Sequence, residues 1–217
     1  MDVGRRLVGG RRSGHLRHEG NARRGQLAGA RELATASVDA SGATWLFGGF
    51  GYDSASHTGY LNDLWKYTGG QWTWVSGANV GSAPSASAVY GQFPATAGTG
   101  GPSFVPGGRE AACAGVDASG SFWLYGGWGY DSAGAQNYLG DLWKFDGTQW
   151  TWEAAGKVAN VPGVYGMLGI PAPTNVPGTR WNPLGWYAGG KMWMFGGSGL
   201  DAMTTPGVLN DMWSFQP

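Results

Sequence analysis

Trp45-Leu46-Phe47-Gly48-Gly49, followed by Leu61-Asn62-Asp63-Leu64-Trp65-Lys66-Tyr67 and then Gln71-Trp72-Thr73-Trp74, decides how this chain folds, because it comes back. The second occurrence reads Trp123-Leu124-Tyr125-Gly126-Gly127, Leu139-Gly140-Asp141-Leu142-Trp143-Lys144-Phe145 and Gln149-Trp150-Thr151-Trp152. The third reads Trp193-Met194-Phe195-Gly196-Gly197 and Leu209-Asn210-Asp211-Met212-Trp213-Ser214-Phe215, and lacks the last piece. From the first glycine of each pair to the later tryptophan is 17 residues every time, while successive units are offset by 78 and then 70 residues. A fixed interior with variable connectors is a folded module repeated.

Working outward from the glycine pairs, each unit reads as four antiparallel strands. In the first unit these are expected at 31–39, 44–47, 63–67 and 71–75, with tight turns at Asp39-Ala40-Ser41-Gly42 and Thr68-Gly69-Gly70. Glycine supplies the positive φ such turns need. The second unit repeats the turns as Asp117-Ala118-Ser119-Gly120 and Asp146-Gly147-Thr148. Four short strands with an aromatic signature in each describe a blade of an all-β propeller. The units fall at about 29–75, 107–153 and 178–217, with long connections at 76–106 and 154–177. Three blades form an open arc or part of a larger ring, since propellers have about four to eight blades.

Composition agrees with a glycine-punctuated β protein. Among 217 residues there are 42 glycines and 13 tryptophans, and only 13% of residues are charged. No triplet period accompanies the glycine, which excludes collagen. The aromatic content needs burial, which argues against general disorder. No apolar run approaches the roughly 20 residues of a membrane helix, so no membrane span is expected. The zero net charge hides an asymmetry: residues 1–31 hold eight arginines against Asp2 and Glu19, and the remainder is acidic. Residues 1–28 show no periodicity and read as a disordered tail. Arg5-Arg6 and Arg11-Arg12 have no apolar stretch after them, so an export signal is not read there. No aromatic residues interleave the arginines, and no nucleic-acid partner is expected. The single cysteine, Cys113, lies among alanines and reads as a small core side chain.

The apolar run ending in Gly-Gly, the Asp-Leu-Trp-x-Tyr that follows, and the last-strand tryptophan resemble the kelch repeat. The subtype is similar to bacterial kelch-repeat proteins, through Pro106-Gly107-Gly108-Arg109, Pro177-Gly178-Thr179-Arg180, Tyr52-Asp53-Ser54 and Tyr130-Asp131-Ser132. The first unit departs with Ala28-Gly29-Ala30-Arg31, and the third with Leu200-Asp201-Ala202. The resemblance implies a kelch-type β-propeller of the galactose oxidase central-domain-like superfamily, in an extracellular or cell-surface setting. The copper site of that superfamily's oxidases needs several histidines. Here His15 and His18 fall in the tail and His57 alone in the units, so no cofactor is expected.

Tight turns join strands one to two and three to four, whereas long connections (50–60, 76–107, 128–138, 154–178 and 198–208) collect on the other face. Long loops on a rigid scaffold commonly carry binding residues. That face offers Tyr52, Tyr60, Tyr90, Phe93, Phe104, Trp128, Tyr130, Tyr138 and Tyr165. Of these, Tyr52, Trp128, Tyr130, Tyr138 and Tyr165 are the candidate ligand contacts. Tyr90-Gly91 and Tyr165-Gly166 read as equivalent places that pin the long connections. Gly48, Gly49, Asp63, Trp65 and Trp72, with Gly126, Gly127, Asp141, Trp143 and Trp150, and Gly196, Gly197, Asp211 and Trp213, form the structural signature. Arg31, Arg109 and Arg180 recur at the start of each first strand and, with the recurring aspartates, suggest a structural ion pair or backbone capping. Asp53, Asp131 and Asp201 supply one carboxylate per loop, too few for Ca²⁺ unless carbonyls complete the shell. No nucleophile elbow, phosphate loop or zinc signature is present. The expected function is a non-catalytic binding scaffold for a protein or a glycan. The alternative is part of a propeller enzyme whose catalytic residues lie outside this chain.

Overall fold

The computed structural model describes residues 26–80 and 91–216. The arginine-rich stretch up to residue 25, with His15 and His18, and Tyr90 lie outside the described residues. The described residues are all-β: they contain no helix, and their six antiparallel sheets include none closed into a barrel.

Each unit builds two sheets. In the first, Thr35–Val38, Thr44–Phe47, Leu64–Thr68 and Gln71–Ser76 pair in chain order as a principal sheet. Beside it, Arg31–Glu32, Phe50–Tyr52 and Thr58–Tyr60 form a small side sheet. The second unit repeats this with Cys113–Val116, Phe122–Tyr125, Asp141–Phe145 and Trp150–Ala155, flanked by Arg109–Glu110, Trp128–Tyr130 and Gln136–Tyr138. The third has Leu184–Ala188, Lys191–Phe195 and Met212–Phe215, flanked by Arg180–Trp181, Ser198–Leu200 and Pro206–Val208.

Two features differ from the reading of the sequence. The first strand, expected to run unbroken over 31–39, is split two residues after the arginine. Leu33, Ala111 and Asn182 each take a left-handed conformation there, with φ of 51°, 46° and 56°. The second break is the glycine pair, which bends the chain out of the principal sheet and into the side sheet instead of ending the strand. Gly48 and Gly49 have φ of 60° and 97°. A Cβ on Gly48 would stand 2.5 Å from the Arg109 carbonyl oxygen. Backbone conformation and close approach both demand glycine there. The connections 50–60, 128–138 and 198–208 are consequently hairpins rather than loops.

The 76–106 connection is also structured in part. Its Thr99–Gly101 pairs with Trp150–Ala155 as a fifth, outermost strand of the second principal sheet. Gln92 bridges Val105, as Val164 bridges Val176 in the next connection. The structural counterpart of Tyr165 is therefore Phe93. Phe93 packs on Trp143 at 4.7 Å between ring centroids, and Tyr165 on Trp213 at 5.1 Å.

Apolar side chains fill the two spaces between neighbouring principal sheets. Trp45, Phe47 and Leu64 of the first sheet meet Ala114, Phe122, Leu124, Phe145 and Trp150 of the second. Trp123, Tyr125 and Leu142 meet Met192 and Met194 of the third, with Cys113 buried among them. Ring contacts cross the first space, such as Phe47 on Trp150 at 5.6 Å. Each such pair adds to plain area burial.

A buried polar cluster repeats inside each unit. Arg109 donates from Nη1 and Nη2 to the Asp141 carboxylate at 2.5 and 2.7 Å, and to the carbonyls of Gly107 and Gly126. The Trp143 indole donates to the same carboxylate at 2.6 Å. Arg31 with Asp63 and Trp65, and Arg180 with Asp211 and Trp213, reproduce the set. The arginine thus locks the side sheet to the first glycine of the pair and to the third strand. Bidentate, charge-assisted geometry is what makes a buried pair tolerable. Burial alone would raise the Asp211 carboxyl; the bonds from Arg180, Trp213 and Tyr165 instead hold it at about 2.

Candidate functional site: an aromatic shelf on the side sheets

Antiparallel register places specific side chains in rows on one face of each side sheet. Glu32 stands opposite Phe50, which stands opposite Tyr60. Glu110, Trp128 and Tyr138 form the matching row in the second unit, with Tyr130 opposite Gln136 in the next row. Glycines 51 and 129 occupy the alternate positions and point the other way, onto Arg31 and Arg109. The period-two alternation of a strand thus separates a packed glycine side from an aromatic side.

The two side sheets meet through these rings. Tyr60 packs edge-on against Tyr130 at 5.7 Å and against Phe50 at 5.2 Å. Trp128 packs edge-on against Tyr138 at 5.1 Å. Gln136 donates from its amide to the Tyr60 hydroxyl at 3.0 Å. Tyr60, Trp128, Tyr130 and Tyr138 are all half-buried, and Gln136 is exposed, so the rings are held by neighbours yet present surface to solvent.

Carboxylates border the rings. Burial raises the Glu110 carboxyl above the usual glutamate range, and the nearby Glu32 raises it further. Burial likewise raises the Tyr60 phenol, with Glu110 adding to the effect, while Trp128 and Gln136 oppose it. The shelf therefore combines flat apolar faces with hydroxyl, amide and carboxylate groups at their edges. Such a surface can stack a planar apolar face and hydrogen-bond its rim.

Of the residues singled out from sequence, Trp128, Tyr130 and Tyr138 come together on this shelf. Tyr52 lies on the same face of the first hairpin but in its outer row, opposite Thr58. Tyr165 lies elsewhere: its hydroxyl donates to Asp211 at 2.5 Å. Phe104 packs against the core between the first two units. Glu32, Glu110 and Gln136 were not singled out. The only sign of the glutamates was the Arg-Glu pair at 31–32 and 109–110, replaced by Arg180-Trp181 in the third unit.

Other polar groups are committed to turns. Asp53 accepts from the amides of Ala55 and His57, and its second oxygen lies 3.1 Å from the His57 Nδ1. Asp131 accepts from Ala133, Ala135 and Ala159, and Asp201 from Met203 and Thr205. No group of three metal-ligating side chains occurs among the described residues. A cleft of about 380 Å³ between the outer strands of the first two units is lined by Val75, Ser76, Phe104, Val105, Gln149 and Trp150 among others, without a charged side chain. Its Ser76 hydroxyl already accepts the Trp150 indole N–H at 3.1 Å. No described helix is long and apolar enough to cross a membrane.

No protein-family model and no curated protein matches the chain. Among solved structures, the chain is similar to one described as "Structure of YjhT", at 13% identity and a TM-score of 0.47. That match covers 88% of this chain and 46% of the other, so the chain spans about half the length of that structure.

Proposed function

We propose that this chain is a run of three kelch-type propeller blades acting as a non-catalytic binding scaffold, and that its aromatic shelf takes a glycan. The repeated glycine pair, the Arg–Asp–Trp cluster and the stacking of one principal sheet on the next support the propeller reading. The resemblance to bacterial kelch-repeat proteins supports an extracellular or cell-surface setting.

One observation carries the glycan reading: Tyr60, Trp128, Tyr130 and Tyr138 lie side by side, half-buried, with Gln136 and Glu110 at their margin. Pyranose rings have an apolar face that stacks on aromatic rings and a rim of hydroxyls that bonds to amides and carboxylates. The rings are pre-positioned by their neighbours, which lowers the ordering cost of binding. A protein hot spot would favour fully desolvated anchors; partly wet rings edged by acids suit a polar, polyhydroxylated ligand better.

The test is a glycan array followed by titration calorimetry on the best ligand. Wild type is expected to retain at least one oligosaccharide, and Trp128→Ala and Tyr60→Ala each to weaken it tenfold or more, about 1.4 kcal/mol, with the β-sheet circular dichroism retained. Absence of any glycan binding at millimolar concentration, or variants that bind as wild type does, refutes the reading. Release of reducing sugar during the titration would overturn the non-catalytic reading, and also the alternative whose catalytic residues lie outside this chain, with Glu110 and Glu32 as the groups to examine.

A further inference from the structure

The shelf carries charge of one sign. Glu110 alternates with Arg109 along its strand, so it stands on the aromatic face, beside Trp128 in register. It is close enough to Tyr60 of the first unit to raise that phenol, and close enough to Glu32 to be raised in turn. Among the described residues neither glutamate has a hydrogen-bond donor or a cation. The other described carboxylates are held. Every described aspartate accepts from the amides of its own turn or from a repeated arginine. Glu153 has Lys144 near it, which lowers its carboxyl against the effect of burial.

The described cations are committed elsewhere. Arg31, Arg109 and Arg180 lie behind the side sheets in their buried pairs. Lys66 pairs with Asp39 at 3.0 Å, and Lys157 donates to the carbonyls of Pro94 and Ala95. Lys144 and Lys191 lie over the rings of Trp123 and Trp193. His57, at the tip of the first hairpin, sits beside Asp53. The third unit has Trp181 in the place of the glutamate and Ser198 opposite it, so rings and free carboxylates coincide on the first two units.

A half-buried carboxylate without a partner is costly, and a cation supplied from outside relieves that cost. Aromatic faces attract the same charge. Tyr60, Trp128 and Tyr130 put such rings next to Glu110. We infer that the glycan taken by the shelf is an amino sugar with a free, protonated amine, its ammonium seated between the Glu110 carboxylate and the rings of Tyr60 and Trp128. This rests on the reading of the shelf as a glycan site and names the class of sugar. The ammonium donates to the carboxylate and lies against the rings, while the apolar face of the pyranose stacks beside it. N-acetylation removes the charge and leaves Glu110 unpaired. A sugar bearing its own carboxylate is repelled by Glu110 and Glu32, which discriminates against acidic glycans.

Titration calorimetry on the full chain tests this, in mildly acidic buffer where sugar amines are protonated. The probes are a β-linked glucosamine trisaccharide, its fully N-acetylated form and the neutral glucose trisaccharide of the same linkage. The glucosamine trisaccharide is expected to bind about tenfold more tightly than either of the others, the gain of a charge-assisted bond over a neutral one. Glu110→Gln is expected to abolish that preference with the β-sheet circular dichroism retained, and Glu32→Gln to reduce it by less. Added salt should weaken the glucosamine trisaccharide in wild type and leave the neutral one unchanged. Equal affinities for the three probes overturn the inference, and so does a preference that survives Glu110→Gln or is insensitive to salt. In those cases binding that still falls with Trp128→Ala leaves the glycan reading standing. Absence of binding by every saccharide, charged or neutral, overturns that reading and the inference with it.

Discussion

Asp141→Asn reaches the most deeply buried of the three repeated Arg–Asp pairs. The Arg109 side chain is 0% and the Asp141 side chain 3% exposed. The aspartate receives two bonds from the guanidinium and one from Trp143, so the asparagine leaves a buried cation with only uncharged acceptors, the carbonyls of Gly107 and Gly126 and one amide oxygen, and turns an NH2 group toward donors. Breaking a buried pair from one side costs about 3–5 kcal/mol. That is a large share of the roughly 5–15 kcal/mol that holds a domain folded. The repeat supplies its own controls. Asp63 is 6% exposed, and Asp211 is 15% exposed with a further bond from Tyr165. The cost of Asp→Asn is therefore expected to fall in the order Asp141, Asp63, Asp211, with about 1–2 kcal/mol at the last. Urea unfolding followed by tryptophan emission measures it, as a shift in midpoint at constant slope. Replacing both partners, Arg109→Met with Asp141→Leu, is expected to recover most of the loss. If Asp141→Asn lies within about 1 kcal/mol of wild type, or if Asp211→Asn costs more, the cluster does not anchor the units as argued.

Three further outcomes follow from particular contacts. Gly48→Ala is expected to cost more than Gly126→Ala, and both more than Gly196→Ala. All three share a left-handed φ worth about 1–2 kcal/mol, but the Cβ stands 2.5 Å and 2.8 Å from the next unit's arginine carbonyl in the first two and 3.1 Å from Leu209 in the third; urea midpoints decide the order. Glu110→Gln is expected to stabilise the protein at pH 7. Burial and Glu32 raise the Glu110 carboxyl in the folded state, so its charging penalty is complete above the raised value and vanishes below the unfolded value near pH 4. Thermal midpoints of the two proteins are therefore expected to converge as pH falls. Burial pushes the Cys113 thiol up to about 12, so it should resist a thiol reagent in the native protein and react at once in urea.

The repeated aromatic and glycine positions made the strands of each principal sheet legible in the sequence, because burial against a neighbouring unit fixes both residue type and spacing. The side sheets were not legible. Phe50-Gly51-Tyr52 and Trp128-Gly129-Tyr130 are three-residue strands with a central glycine, and glycine in so short a run reads as a turn. The glycine there answers to a contact elsewhere, the arginine packed behind it. Leu33 and Ala111 carry no local mark of their left-handed conformation, which the two sheets impose from either side. The aromatic shelf was legible only as a list of rings on one face. What groups Tyr60 with Tyr130, and adds Gln136 and Glu110, is cross-strand register and the approach of two units, neither of which a linear pattern carries. Tyr165 shows the same limit: its ring marks a long connection, but its partner Asp211 lies 46 residues away.

Amide hydrogen exchange, resolved by residue, reaches the junctions most directly. The N–H groups of Gly49, Ala111, Gly127 and Asn182, which lie outside the strand ladders and bond only across units, should exchange as slowly as those of Leu124 and Trp143 in the second sheet. Fast exchange at Gly49 and Gly127, alongside slow exchange within the sheets, would mean that the units fold but do not stack.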